Sequence, residues 1–357
     1  MCVTCVKYCR GSLLERLANG GSLVVAEGYV FEFERRGYLQ AGAFVPEVVI
    51  ERPDLVKILH EEFVHAGSEV VLAFTYYGHR EKLRLIGKED QLETMNRRAL
   101  TIAREVARAT GTLFAGNICN STVYRRDDEE IKAKVEDMFR EQIEWAVDEG
   151  ADFIVGETFG ELGEAMLALE SIKKYGKGVP AVITLASAGR DFTFDEVPFE
   201  DACRQLEESG AAVVGLNCGR GPKTILPLIK KVRASCKGPI ACLPVPYSTN
   251  EDYPTMQSLT DKETGKPAFP YDLPGHTCTR TEIEEFAKSC QEIGVNYVGL
   301  CCGNASHYTR IVAEVYGRRP PASRFSPDMS KHFMYGDKSK FNQYHTEDMV
   351  KFTKAEK

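Results

Sequence analysis

Eight times over, the chain alternates between a short apolar run and a longer amphipathic segment, and few architectures accept that rhythm. The apolar runs fall at 22–26, 69–75, 113–118, 153–156, 180–186, 212–217, 239–245 and 296–300. They are partly β-branched, as buried strands of a covered parallel sheet are. Segments 47–66, 89–109, 128–149, 160–174, 198–209, 223–235, 279–293 and 304–316 carry apolar residues at three- and four-residue steps. That is the period of a helix with one buried face. In Asp148-Glu149-Gly150 and Glu208-Ser209-Gly210, glycine stands just past a helical stretch, where a left-handed cap is wanted. Eight strands each followed by a helix is the count of an α/β TIM (β/α)8 barrel. A doubly wound sheet alternates too, but its glycine-rich dinucleotide turn is absent.

The barrel is expected over 12–317, as one domain. Two stretches break the rhythm. Residues 246–278 form a long polar loop, rich in proline and glycine, between strand seven and its helix; loops there lie on the active-site face, so it is a candidate lid. Residues 318–357 form a C-terminal tail with Phe333, Tyr335 and Phe341, suited to wrapping the barrel, contacting another copy of the chain or remaining partly disordered.

Composition narrows the partners. With 43% hydrophobic and 27% charged residues the chain can bury a large core. A net charge of −7 favours neither nucleic acid nor an anionic membrane. No run approaches the roughly 20 apolar residues of a membrane span, and residues 1–10 lack the apolar core of a signal peptide. The 12 cysteines therefore read as reduced, cytoplasmic thiols. Cys119, Cys203, Cys242 and Cys290 fit as small buried hydrophobes. Cys2, Cys5 and Cys9 have metal-like spacing but no second half, and no role is assigned to them.

The chemistry gathers at two strand ends. Val213-Val214-Gly215-Leu216-Asn217-Cys218 and Tyr297-Val298-Gly299-Leu300-Cys301-Cys302-Gly303 both run apolar and stop at cysteine. In a barrel those ends converge, so Cys218, Cys301 and Cys302 can meet and offer zinc three thiolates and an open fourth position. Zinc in such a site keeps a substrate thiol ionised, which points to thiol alkylation.

Gly-Leu-Asn-Cys and Gly-Leu-Cys-Cys-Gly resemble the zinc-binding signatures of the homocysteine S-methyltransferase family. Tyr29 to Tyr38, continuing through Ala41-Gly42 to Pro46-Glu47, and Phe74-Thr75-Tyr76-Tyr77 are similar to the first two βα units of its betaine branch. The resemblance covers roughly 12–317. It implies a zinc enzyme moving a methyl group from betaine to homocysteine, giving methionine and dimethylglycine. A sulfonium donor such as S-methylmethionine or a thetin is the alternative; a zinc-binding barrel without turnover is another.

A cationic donor calls for aromatic faces, and Phe44, Tyr76 and Tyr77 are the candidates. The resemblance implies that Tyr77 lies near the metal and that Glu157 takes the amino group of homocysteine. Glu27 closes strand one as Glu157 closes strand four. Backbone amides near Gly219 and Gly221 are candidates for the substrate carboxylate. The run 219–224 is no phosphate loop, because Pro222 interrupts the Gly-Lys pair. Three positions depart from the branch. Ala26-Glu27-Gly28 stands where Asp-Gly-Gly is usual, shifting the carboxylate by one residue and reversing its direction unless the strand bulges. Thr158 stands in place of a tyrosine and Phe44 in place of a tryptophan. The metal and homocysteine half is thus better kept than the donor half.

Overall fold

Every apolar run becomes a parallel strand, because each supplies enough β-branched and aromatic side chain to fill both sides of a sheet. The computed structural model describes residues 11–332, 335–337, 339, 342–349 and 351; Cys2, Cys5, Cys9, Phe333 and Phe341 lie outside these. The strands are β1 (Leu23–Val24), β2 (Val70–Leu72), β3 (Leu113–Cys119), β4 (Phe153–Phe159), β5 (Ala181–Leu185), β6 (Val213–Asn217), β7 (Ile240–Leu243) and β8 (Tyr297–Val298). Pairing runs from β1 through β8 and then in descending order to β2. The remaining seam is bridged where Glu69 N–H donates to Val24 O at 2.8 Å. The barrel is thus nearly closed, as the eightfold rhythm predicts.

Each strand is followed by one of the outer helices α1 (Pro53–Ala66), α2 (Leu92–Thr110), α3 (Glu129–Asp148), α4 (Leu162–Tyr175), α5 (Phe199–Glu208), α6 (Pro222–Ser235), α7 (Arg280–Ile293) and α8 (Ser306–Val315). Gly150 and Gly210 adopt φ of +79° and +102° just past α3 and α5. The helix expected over 47–66 is divided: Val48–Glu51 forms a separate turn and Pro53 opens α1, because proline cannot donate within a continuing helix.

Alternation along the strands sorts the core into two layers. Leu23, Val70, Leu72, Leu113, Phe153, Val155, Val213 and Tyr297 pack together, with the Phe153 and Tyr297 rings 6.5 Å apart although β4 and β8 lie on opposite sides. This set fills the barrel interior. Val71, Phe114, Ile154, Ile183, Val214 and Val298 pack instead with the helices. Inward positions are therefore odd-numbered on β1, β3, β4, β6 and β8, which decides where the functional side chains point.

The beginning of the tail is fastened to the barrel. Arg318 donates to Ser22 O at 2.5 Å and pairs with Glu69 at 3.2 Å, while the Glu69 carboxylate also accepts Val24 N–H at 2.9 Å. This cluster holds the β1–β2 seam at the amino ends of the strands, opposite the cysteines. Arg318→Ala is expected to destabilise the fold by about 1–3 kcal/mol, since a partly buried charged network loses its donor. A urea midpoint checks it, and turnover at the other end should be unchanged. Further along, Tyr335 and Tyr344 are exposed.

Candidate active site at the carboxyl ends of the strands

Cys218, Cys301 and Cys302 meet at the mouth, as their positions at the ends of β6 and β8 predict. Their sulfurs are 3.7 Å apart for Cys218–Cys302 and 3.9 Å for Cys301–Cys302, and all three lie within 4.8 Å of one another. Tetrahedral zinc–thiolate bonds of about 2.3 Å require sulfurs roughly 3.8 Å apart, so the donor set fits a zinc ion in both chemistry and spacing. Hydrogen bonds from the Cys301 and Cys302 thiols hold Cys218 well below the usual thiol range. Contact with Cys218 pushes the other two thiols up.

A left-handed residue at the strand end is what turns both neighbours toward the mouth. On β6, Asn217 holds an inward position, and strict alternation would send Cys218 outward. Cys218 instead adopts φ +55°, and its sulfur joins the cluster. Thr158 does the same after Glu157, with φ +64°, and the β4–β5 register shifts between Gly156 and Phe159. Tyr77 (φ +57°) and Phe44 (φ +55°) are also left-handed. Non-glycine residues held there cost of order 1–3 kcal/mol each, and such strain concentrates at functional sites.

Two carboxylates face the thiols. Oxygens of Glu27 and Glu157 lie within 4.8 Å of each other and of the Cys301 sulfur. Glu27 needs no bulge to get there: Val25 N–H bonds to Val298 O and Glu27 N–H to Leu300 O, a regular two-residue step that keeps Glu27 on the inward side with Leu23 and Val25. Gly28, at φ +83°, lies so close to Cys301 that a Cβ would overlap its carbonyl, which lets β1 and β8 share the mouth.

Asn117 donates to Glu157 Oε1 at 2.8 Å and Asn217 to Oε2 at 3.1 Å; Asn217 also donates to Thr158 Oγ1 at 2.8 Å. Burial pushes Glu157 up to about 7 despite these donors. Glu27 is almost fully buried; the Tyr297 hydroxyl faces its carboxyl from β8, and neither group has another hydrogen-bond partner among the described residues. Burial, then the nearby Glu157, push its carboxyl well up. Two buried acids side by side are costly to ionise unless a cation joins them. Asn117 and Asn217 carried no assigned role in the sequence; the available signal was a polar side chain at an inward position of an otherwise apolar strand.

Tyr76 lines a small cavity of about 20 Å³ with Gly28, Asn117, Glu157, Cys301 and Cys302. Its ring lies 4.4 Å from that of Tyr77. Burial pushes the Tyr77 phenol up to about 12. Phe44 packs on Phe31, which in turn meets Phe269 of the long loop at 6.3 Å, so Phe44 joins a different aromatic group from the two tyrosines. One of the amides expected to hold a carboxylate is engaged: Gly221 N–H donates to Thr249 Oγ1 at 3.0 Å. Gly221 N–H is therefore not free to take a substrate carboxylate in this arrangement.

Fold and site together define a (β/α)8 barrel with three clustered thiols, a candidate metal site, at its carboxyl end. The sequence pattern described as homocysteine S-methyltransferase matches residues 26–316, and the chain belongs to that family. It is 33% identical over 333 residues to betaine–homocysteine S-methyltransferase 1 of Xenopus tropicalis, covering 91% of this chain and 79% of that one. It is 32% identical over 329 residues to S-methylmethionine–homocysteine S-methyltransferase BHMT2 of Pongo abelii, covering 91% and 86%. The metallated form of the homocysteine methyltransferase MmuM from Escherichia coli shares the fold, with a TM-score of 0.65 at 18% identity, covering 84% of this chain and 99% of that one. Among the described residues no helix is long and apolar enough to cross a membrane.

Proposed function

We propose that this homocysteine S-methyltransferase takes its methyl group from betaine and works on zinc held by Cys218, Cys301 and Cys302. The observation that carries the reading is the trio of sulfurs at tetrahedral spacing beside two buried acids. Bound zinc would supply one thing, a lowered thiol pKa for the incoming substrate at neutral pH.

The protein's own groups do the rest. Glu27 and Glu157 take the homocysteine ammonium, which balances the two adjacent buried acids, and Asn117 and Asn217 hold Glu157 in place. The ring faces of Tyr76 and Tyr77 attract the quaternary ammonium of the donor. The substrate sulfur attacks the methyl carbon in line as the carbon–nitrogen bond breaks, and the nitrogen leaves with the electron pair as dimethylglycine. The thiol's proton is given up to the medium, and the product amine takes one back. Positioning two reactants in line accounts for much of the acceleration. Such a centre needs reduced thiols, which supports a cytoplasmic setting.

A sulfonium donor is the second reading. One observation favours it: Thr158 stands where the betaine branch has tyrosine, and its hydroxyl is engaged by Asn217. The test is methionine formation from homocysteine by zinc-loaded protein, with betaine, S-methylmethionine and dimethylsulfoniopropionate in parallel. Betaine is expected to turn over fastest, activity to vanish on chelation, and zinc to restore it. Preference for a sulfonium would replace betaine; no methionine from any donor would sink the whole reading.

A further inference from the structure

Lys82 stands apart from the other charged groups around the mouth. It lies on the short helix Arg80–Leu85 that follows β2, and its ammonium sits 3.9 Å above the centre of the Tyr77 ring. It is partly buried, yet among the described residues no carboxylate pairs with it and no acceptor takes its protons. The acid beside it in sequence, Glu81, is already engaged by Arg84 at 3.0 Å and Lys134 at 2.7 Å. The titratable groups acting most closely on Lys82 are Cys119, at the end of β3, and His79, which caps the start of its own helix. Burial keeps both neutral, lowering the His79 imidazole to about 4 and raising the Cys119 thiol.

A cation on an aromatic face is worth roughly 0.5–1 kcal/mol where exposed and more where desolvated. Here it also creates a difficulty for the proposed reaction. A quaternary ammonium brought to the same pair of tyrosines meets a second positive charge, and the repulsion is relieved only if an anion arrives with it. Betaine and the amino-acid sulfoniums carry one, a carboxylate on the same molecule as the methyl cation.

We propose that Lys82 is the carboxylate subsite for the methyl donor, so that the enzyme selects zwitterionic donors over simple methyl cations. The inference rests on the methyl-transfer reading above and adds the residue that would choose among donors. The Tyr76–Tyr77 pair, with ring centres 4.4 Å apart, adjoins the thiol-lined cavity through Tyr76 and carries Lys82 on Tyr77. A donor spanning the pair would place its cation toward the sulfurs and its carboxylate on the ammonium. Methyl transfer is unchanged in its balance: the carboxylate is a handle, not a reactant.

The test compares Lys82→Met and Lys82→Arg with wild type, using betaine and trimethylsulfonium as methyl donors to homocysteine. A charge-assisted hydrogen bond of the usual strength predicts that Lys82→Met raises the KM for betaine about 10- to 100-fold with little change in kcat. Arginine should recover much of the loss, and trimethylsulfonium should be used as well as before or better. Equal losses with both donors, or no loss with betaine, would overturn the proposal. If wild type turns over no donor, the methyl-transfer reading fails separately. The subsite is then decided by calorimetric titration of wild type and Lys82→Met with betaine and with choline, which lacks the carboxylate. Betaine binding that depends on Lys82, with choline binding that does not, supports it; the same affinity for betaine in both proteins rejects it.

Discussion

Cys301→Ala is expected to lose the metal and to lower turnover by more than about 10³-fold while leaving the barrel folded. Two separable losses make up that figure. A substrate thiol left at its ordinary pKa of about 8.5 is only about 3% ionised at pH 7, a loss of roughly 30-fold. Losing the fixed position of the sulfur removes much of the rest. Cys301 is the most informative of the three because its sulfur belongs both to the thiol trio and to the group containing Glu27 and Glu157. The fold should tolerate the change, since alanine keeps the backbone bond from Cys301 N–H to Pro244 O. Cys203→Ala, inside the helix-facing core, is the control: it should cost stability and keep zinc. Metal content by elemental analysis, circular dichroism and methionine formation together decide the matter. Full metal and full turnover in Cys301→Ala would remove these ligands from the mechanism.

The barrel was legible because burial on two faces forces a strand to be apolar throughout, and that leaves a mark no register is needed to see. The three cysteines were legible for a related reason: a thiol ending an apolar strand is conspicuous, and parallel strands bring their ends together. Asn117 and Asn217 were harder. Their importance depends on pointing inward, and direction follows from alternation counted against partners far away in the chain. The left-handed turns at Thr158 and Cys218 could not be read at all, since neither residue favours φ near +60° and only surrounding structure enforces it. The shifted carboxylate at Glu27 shows the opposite case. Its direction was uncertain from sequence, yet β1 runs on regularly and delivers it to the mouth without a bulge.

Glu27→Gln should weaken homocysteine binding by about 10- to 100-fold, because an ionic hydrogen bond to the substrate ammonium is replaced by a neutral one. The same substitution should make the metal-free protein more stable at pH 8. Burial and the neighbouring Glu157 hold the Glu27 carboxyl above its ordinary range, and Glu157 itself is raised to about 7. Groups raised on folding contribute stability that is complete below the ordinary carboxylate range. That contribution is lost as pH climbs toward and through their folded values. Glutamine carries no such charge, so the Tm gap between variant and wild type should be near zero at pH 5 and favour the variant at pH 8. Calorimetric titration of the zinc-loaded proteins with homocysteine, and thermal unfolding of the chelated ones at both pH values, measure the two effects. Unchanged affinity with a lower Tm at pH 8 would mean that Glu27 is a structural acid. The expected result, weaker binding in a sturdier protein, would mean that the fold tolerates two adjacent buried acids at its mouth because the substrate ammonium completes them.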